Sequence, residues 1–537
     1  MKPTVPAALA AVLAFILAPA ESQPRQFPDT RSGIHLFSDQ MQSDMTAAQC
    51  QFAATHYAGC QKMLLNDVGN LRAYNPGFIA LHYQLGCGNG PAPFIDGNEW
   101  VSDWSIVNAQ ESWFMHSGLS RLYMGAWNWY LMDIANSDWQ SYWVNACIDR
   151  MQATSCDGVF ADSFTVDAYF DQLTPPHPWL SDPNLCKAQW IPRLDAWADY
   201  ITARFAGHFY FIPNLGGLVT GWDTTNYAGL GDGGMVEGFG GWGNGNYFPT
   251  EDWILQMNRV LDLVRQDRIV ICQSYTSDSG LDERMFLTGC YLLIKGDRTY
   301  FNMIGAEHGE ELLYYPEYGI PTGAYSGSIP SSVGALYDPA AGCFRRNYAN
   351  GFVLVNPGET PVTVPDLGGT YQLVSAQGGG SVNEGGGHTG SLSYAPVTSV
   401  EVPAHGAAVL LGDIPSTLHT VTLSLDNAAF LPSESLTLHW GITRAPAGPS
   451  VADAWVAVMT PWGTIYFYRA GSFSPSVRSV APSLPVSDLS GDLGPFTLEG
   501  LQSGAYTWYG VLTYPGANPL DSSSRVSTLG TASFSIN

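Results

Sequence analysis

The chain has 537 residues, 45% of them hydrophobic, which is room for roughly three domains of about 150 residues with buried cores. Its net charge of −25, with only 22 Lys and Arg, argues against nucleic acid and anionic membrane as partners, since both call for clustered basic residues. Charged residues make up only 13%, against the usual quarter, and Gly (58), Pro (35), Trp (17) and Tyr (27) take their place.

Residues 1–20 have the form of a secretory signal: Lys2, an apolar run over 7–17, and an A-x-A site at Ala18-Pro19-Ala20. The expected mature chain starts near Glu21 and is exported, secreted or periplasmic. No Cys follows the cleavage site, which argues against a lipid anchor. No later stretch approaches the about 20 apolar residues of a membrane span. Nine cysteines in an exported protein predict disulfides and one leftover thiol. Cys50/Cys60, Cys147/Cys156 and Cys272/Cys290 are conceivable pairs, although sequence leaves the connectivity open. No CxxC or HxH spacing occurs and the 11 histidines are scattered, so neither a metal nor a cofactor is expected.

From residue 33 onward, strand-like and helix-like segments alternate. Strands are expected at 33–37, 60–65, 77–83, 158–163, 208–213, 233–239, 268–273 and 299–304. Helices are expected at 47–56, 138–152, 191–205, 250–265 (capped by Thr250) and 281–294. A Trp-rich insertion fills 86–136. Eight strands with interleaved helices over some 280 residues predict a (β/α)8 TIM barrel spanning 21–340. No Gly-rich phosphate loop follows any strand, which disfavours an open dinucleotide-binding sheet. Short alternating runs then predict a small antiparallel β domain at 341–414. Regularly spaced strands predict an immunoglobulin-like β-sandwich at 415–537.

The run Gly158-Val159-Phe160-Ala161-Asp162 has the unbroken apolar character of a strand covered on both faces, with a carboxylate at its C-terminal end. That end of a barrel strand is where such folds place their chemistry. Glu237, ending the run Met235-Val236-Glu237, is the second carboxylate. Two carboxyl groups on one rim are what glycoside hydrolysis needs, one to protonate the leaving oxygen and one to attack the anomeric carbon or activate water. Glu251 and Asp252 instead suit a helix N-terminus. Any single strand-end Asp is more often a structural acceptor; the pairing of two gives these weight.

Thirteen of the 17 tryptophans lie between Trp100 and Trp253. Most such rings are core, but indoles also stack on the C–H faces of sugars, and those of the insertion (Trp100, Trp104, Trp127, Trp129) are the better site candidates. Asp133 is a candidate substrate-binding carboxylate. His82, Tyr83, Asn214, Gln273, Tyr275 and Asn302 end their strands and are candidates for binding hydroxyls. A phosphodiesterase site using His35 and His82 is disfavoured, because the metal or basic charge it needs is missing.

The segments YLMDI (130–134), DGVFADSF (157–164), RIVICQSY (268–275), TYFNMI (299–304) and RNYANGFVLVNP (346–357) together resemble the hypothetical glycosyl hydrolase-type barrels, family fifteen of that series, near the α-galactosidase clan. The resemblance covers about 32–413. In that clan retaining enzymes carry the nucleophile after the fourth strand and the acid/base after the sixth, positions that Asp162 and Glu237 match. The clan's acid/base is commonly Asp; here it is Glu. The resemblance implies an O-glycosyl hydrolase acting on a poly- or oligosaccharide, and the signal segment adds that it is exported. The alternative is a non-catalytic secreted carbohydrate-binding protein on a glycosidase-like barrel.

Overall fold

The computed structural model describes residues 23–62, 65–91, 103–164, 172–305, 311–412, 418–445, 448–520 and 524–537. The expected signal segment and Trp100 lie outside them. The chain divides into two compact units, Met1–Leu411 and Gly412–Asn537.

Eight parallel strands organise the first unit: β1 (Leu36–Gln40), β2 (Tyr57–Lys62), β3 (Ile79–Leu85), β4 (Gly158–Asp162), β5 (Tyr210–Pro213), β6 (Gly233–Glu237), β7 (Ile269–Thr276) and β8 (Thr299–Gly305). They form one sheet in the order β5-β4-β3-β2-β1-β8-β7-β6. Its two edges meet through the parallel bridge Asn214–Met235, with Leu215 N–H donating to Met235 O (2.8 Å) and Glu237 N–H to Gly216 O (3.1 Å). The sheet is therefore a nearly closed barrel.

Alternate residues point inward and outward along each strand, and both faces are buried. Phe37, Ile79, Leu81, Tyr83, Phe160, Ile212, Met235, Ile269, Ile271 and Tyr300 fill the inside as one apolar cluster. Val159, Ala161, Phe211, Val236, Val270 and Cys272 face the helices. Two-sided burial is why these strands read as unbroken apolar runs. Gly233 is required by the close approach of β6 to β7: a Cβ there would lie 1.9 Å from Ile269 O of that neighbouring strand.

The intervening helices are α1 (Ala47–His56), α2 (Leu65–Tyr74), α3 (Ser137–Thr154), α4 (Ile191–Phe205), α5 (Thr250–Arg265) and α6 (Leu281–Ile294). Thr46 and Gln49 close a capping box on α1, and the Asn136 side chain caps α3. Between β5 and β6 the described residues contain a 3-10 turn, Tyr227–Gly229, in place of a helix. Thr250 does not cap α5: it sits within the first turn, Pro249 holds the cap position, and the Thr250 hydroxyl donates to Pro357 O (3.3 Å).

The first two strands are displaced from their expected places. Gly33 takes a left-handed φ of 74°, so β1 starts only at Leu36 and runs on to Gln40. Tyr57, the C-cap of α1, is already extended, so β2 follows the helix with no loop and ends at Lys62 rather than at 65. Strand β7 continues past Gln273 to Thr276, which puts Tyr275 on the sheet.

Following the barrel, β9 (Tyr337–Asp338), β10 (Cys343–Tyr348), β11 (Gly351–Asn356), β12 (Tyr371–Gln377), β13 (Ser391–Val397) and β14 (Gly406–Leu411) form an antiparallel sheet in the order β9-β10-β11-β14-β12-β13. Helix α6 is buried from Glu283 to Ile294 because this sheet covers its outer side. Gly289 makes the approach possible, since a Cβ there would come within 2.4 Å of Ala407 Cβ.

The seam between helix and β domain is pinned by Arg284, which is fully buried. Its Nε donates to Glu317 Oε1 (2.8 Å), its two Nη atoms to Asp278 O (2.8 Å) and Gly378 O (2.7 Å), and its guanidinium lies 4.6 Å from the Tyr315 ring centroid. Removing one partner of a buried ion pair leaves the other charge stranded. Arg284→Met is expected to cost roughly 3–5 kcal/mol of stability, read as a fall in the urea midpoint of the full chain. An unchanged midpoint would show that the seam does not depend on this ion pair.

The expected disulfides are not formed. Cys60, Cys147, Cys156, Cys272 and Cys290 are buried free thiols, so none of the three conceivable pairs is bridged. Cys60 and Cys272 lie on strands, Cys147 and Cys290 on helices, and Cys156 in the connection from α3 to β4; all belong to the apolar core, where a thiol packs as a small apolar group. Burial pushes Cys60 and Cys290 up to about 12, and Cys156 to about 11.

In the second unit, Thr420–Leu425, Ser435–Thr443 and Leu489–Thr497 make a three-stranded sheet, and a second sheet is built around Val451–Met459, Gly504–Thr513 and Gly530–Ile536. Leu436 and Leu438 of the first sheet share an apolar cluster with Val456, Trp508 and Phe534 of the second. Among the described residues, no helix is long and apolar enough to cross a membrane.

Candidate active site

The inward set of β4 runs Gly158, Phe160, Asp162, and that of β6 runs Gly233, Met235, Glu237. The same alternation that packs Phe160 and Met235 in the barrel core thus aims both carboxylates into its C-terminal mouth. They line one cavity of about 200 Å3 together with Asp39, Lys62, Tyr83, Trp127, Trp129, Asn214, Gln273 and Tyr275.

Asn214, at the end of β5, stands between the two carboxylates. Its Oδ1 accepts Gly216 N–H (2.9 Å), which orients the amide so that Nδ2 faces the cavity. That nitrogen donates to Asp162 Oδ1 (2.8 Å) and to Glu237 Oε2 (2.7 Å). The sum of the two lengths, about 5.5 Å, is the most by which those oxygens can be separated. Asp162 also accepts from Tyr83 Oη (2.8 Å) and Ser163 N–H (2.7 Å), and Glu237 from Tyr275 Oη (2.5 Å).

Burial raises the Glu237 carboxyl above its ordinary value, and repulsion from Asp162 adds to the effect; the bonds from Tyr275 and Asn214 and the charge of Lys62 oppose it. Burial, followed by the neighbouring carboxylates, pushes the Tyr83 and Tyr275 phenols well up, so both remain donors. For Lys62 burial works to lower the value, but Asp39, Asp162 and Glu237 together outweigh it and hold the ammonium above its usual range.

Of the residues singled out from sequence, Asp162, Glu237, Tyr83, Trp127, Trp129, Asn214, Gln273 and Tyr275 line this cavity. Trp127 is carried by the insertion, between the short strands Tyr123–Met124 and Trp129–Leu131, and is 55% exposed. Four others lie elsewhere, among them Trp104, whose ring stacks on Tyr130 (centroids 5.5 Å apart) outside this lining. His82 is on the opposite face of β3 from Tyr83; burial and the nearby Arg150 lower it to about 3, making it a neutral core histidine. Asp133 accepts Ala135 N–H (3.2 Å) in the turn leading to α3. Asn302, beside Gln273 on β8, is buried outside the cavity lining.

Asp39 and Lys62 were missed. They form an ion pair of 2.8 Å at the ends of β1 and β2, and the displacement of those two strands hid them: with β1 ending at 37 and β2 starting at 60, neither residue falls on the rim. Trp242, whose ring stacks on Tyr275 (centroids 6.0 Å apart), follows the β6 end in a Gly-rich loop without periodicity and gave no sequence signal. Among the described residues, no group of three His, Cys, Asp or Glu is placed to hold a metal ion.

The family model described as hypothetical glycosyl hydrolase family 15 matches residues 72–352, more than half of the chain. No curated protein matches the sequence. Among solved structures, the chain is similar to a cycloisomaltooligosaccharide glucanotransferase of Paenibacillus sp. complexed with cycloisomaltoheptaose (15% identity, 71% of this chain and 55% of that one, TM-score 0.31). It is also similar to a dextranase of Flavobacterium johnsoniae complexed with glucose (10%, 82% and 64%, TM-score 0.37). A third is an α-galactosidase of Geobacillus stearothermophilus in complex with stachyose (8%, 71% and 56%, TM-score 0.32). The chain spans less than two thirds of the length of each of these three proteins.

Proposed function

The chain belongs to hypothetical glycosyl hydrolase family 15, and from that membership, the signal-like residues 1–20 and the carboxylate pair we propose that it is an exported, retaining glycoside hydrolase acting on a poly- or oligosaccharide, with Asp162 as nucleophile and Glu237 as acid/base. The observation that carries this reading is the single Asn214 amide shared by both carboxylates. Retaining enzymes hold their two carboxyl groups about 5–5.5 Å apart, whereas inverting ones leave room for a water at roughly 6.5–9.5 Å. A separation of at most about 5.5 Å between the bridged oxygens fits the first class.

In the first step Asp162 attacks the anomeric carbon while protonated Glu237 gives its proton to the departing glycosidic oxygen. A glycosyl ester on Asp162 and a free leaving group result. Esterification removes the Asp162 charge and with it the repulsion that helps to raise Glu237, so Glu237 becomes the weaker acid-holder and stays deprotonated. It then takes a proton from water as that water attacks the same carbon, releasing the sugar with its original configuration and restoring Asp162. Asn214 keeps both carboxylates in register, and Tyr83 and Tyr275 donate from either side.

Screening the purified protein against a panel of polysaccharides and oligosaccharides, with mass spectrometry of released sugars, tests the activity. Proton NMR of the first product tests its stereochemistry; an inverted anomer would sink the nucleophile assignment. Tyr275→Phe removes a bond that holds Glu237 down. Its alkaline pH limb is therefore expected to move to higher pH than the wild type's, and a move downward would contradict Glu237 as the acid. The second unit belongs to the proposal as an immunoglobulin-like accessory module, tested by deleting it and measuring binding to insoluble polysaccharide.

A further inference from the structure

The ion pair Asp39–Lys62 takes no part in the bond-making steps above, although both residues line the cavity. We propose that this pair grips the C3 and C4 hydroxyls of the sugar whose glycosidic bond is broken, so that the enzyme removes single neutral units whose C4 oxygen is unsubstituted. The inference rests on Asp162 and Glu237 as the reacting pair and adds to it the end of the substrate that is recognised.

Position is the first support. With the strands in the ring order β5-β4-β3-β2-β1-β8-β7-β6, β1 and β2 lie across the barrel from β5 and β6. Asp39 and Lys62 therefore face Asn214 and Glu237 over the cavity. In a pyranose C4 is diagonally opposite C1. A ring with C1 at the carboxylates turns its C3 and C4 hydroxyls toward the ion pair.

Chemistry is the second. Lys62 Nζ uses one N–H on Asp39 Oδ2 (2.8 Å) and has two more to offer. Asp39 is steadied by Gln61 Nε2 on Oδ1 (3.1 Å), and Gln61 also donates to Gln273 Oε1 (3.1 Å). The ammonium lies 5.5 Å from the Tyr83 ring centroid and 6.0 Å from that of Phe160, which keeps it over the cavity floor. A donor beside an acceptor matches two neighbouring hydroxyls, each of which both gives and accepts a hydrogen bond.

Size and charge complete the argument. About 200 Å3 is below the roughly 300–1,000 Å3 of pockets for drug-sized ligands and suits one sugar ring. Lys62 is the lone cation of the described lining and is already paired, while Asp39, Asp162 and Glu237 all face inward. A uronic acid would bring a further negative charge into this set, so neutral sugars are favoured.

The test uses 4-nitrophenyl α- and β-glycosides of glucose, galactose, mannose and xylose, followed by the 4-deoxy and 4-O-methyl derivatives of the best substrate. A site built to bind a hydroxyl rejects the analogue lacking it, and wild-type kcat/KM is expected to fall on the order of 10²–10⁴-fold for both derivatives. In Lys62→Met, and independently in Asp39→Asn, parent and 4-deoxy compounds should be cleaved at rates within about tenfold of each other. A purely structural role would slow all substrates alike and leave their ratio unchanged, which would overturn the proposal, as would a 4-O-methyl glycoside cleaved as fast as its parent. If the wild type cleaves none of them, calorimetric titration of Asp162→Asn with the matching methyl glycosides decides the matter. Tighter binding of the 4-hydroxy sugar would keep the ion pair as the recognition element and retire the hydrolase reading alone, and equal binding would overturn the pair's role as well.

Discussion

Asp162→Asn is expected to lower kcat by about 10³-fold or more on any glycoside the wild type cleaves, while the thermal midpoint stays close to the wild type's. Asn has nearly the same shape but no charge with which to attack the anomeric carbon. With its amide oxygen at the Oδ1 position the side chain still accepts from Asn214 Nδ2 and from Ser163 N–H, so the strand end loses little packing. Asp162→Ala opens space at the same spot, and added azide should restore turnover by attacking from the vacated side. The product would then be a glycosyl azide of inverted configuration. Retention of more than a tenth of wild-type kcat in Asp162→Asn would remove this residue from the reaction.

Glu237→Gln is expected to reveal the acid through its dependence on the leaving group. With a sugar as leaving group, kcat/KM should fall by about 10²–10⁴-fold, the usual range for a lost proton donor. With 2,4-dinitrophenol, which departs without protonation, it should hardly change. The pH profile carries the sign. Burial and Asp162 raise the Glu237 carboxyl, so the wild type keeps its acid protonated to higher pH than an ordinary Glu would, and its activity is lost as pH rises through that raised value. The Gln variant has no such proton, and its alkaline limb should vanish.

Stability follows the same linkage. A carboxyl whose folded value lies above its unfolded one holds an extra proton in the native state, so it lowers stability as pH rises from the unfolded value through the folded one. Glu237→Gln abolishes that loss. Its melting midpoint at neutral pH should equal or exceed the wild type's, opposite to the direction expected for an ordinary packing residue.

The barrel was largely legible in the sequence because burial on both faces leaves a mark that needs no partner to be seen. The unbroken apolar runs ending in Asp162 and Glu237 identified β4 and β6 and both carboxylates. Helices α4 and α6 were placed to the residue, and α1 likewise. Legibility failed where local signals were weak or overridden. Tyr57–Lys62 (YAGCQK) contains little that reads as a strand, and it follows its helix without a turn; the left-handed Gly33 delayed β1. Those two displacements concealed Asp39 and Lys62. The cysteine count suggested bridges by compartment and composition, whereas the folded chain uses the five thiols of the conceivable pairs that are free as apolar filling.

His82 and Tyr83 mark the boundary most clearly. Both were candidates as neighbours at a strand end, but successive residues of a strand face opposite ways, and register alone sends Tyr83 to Asp162 and His82 into the helix layer. Near neighbours along the chain already fix the alternation of elements, their apolar character, and which carboxylates end which strands. Which residues meet follows instead from ring closure, which brings β1 and β2 opposite β5 and β6 and lets one Asn214 amide reach two carboxylates 75 positions apart in the chain (162 and 237). A distance across a barrel is set by strand order and shear, and no local stretch of residues encodes it.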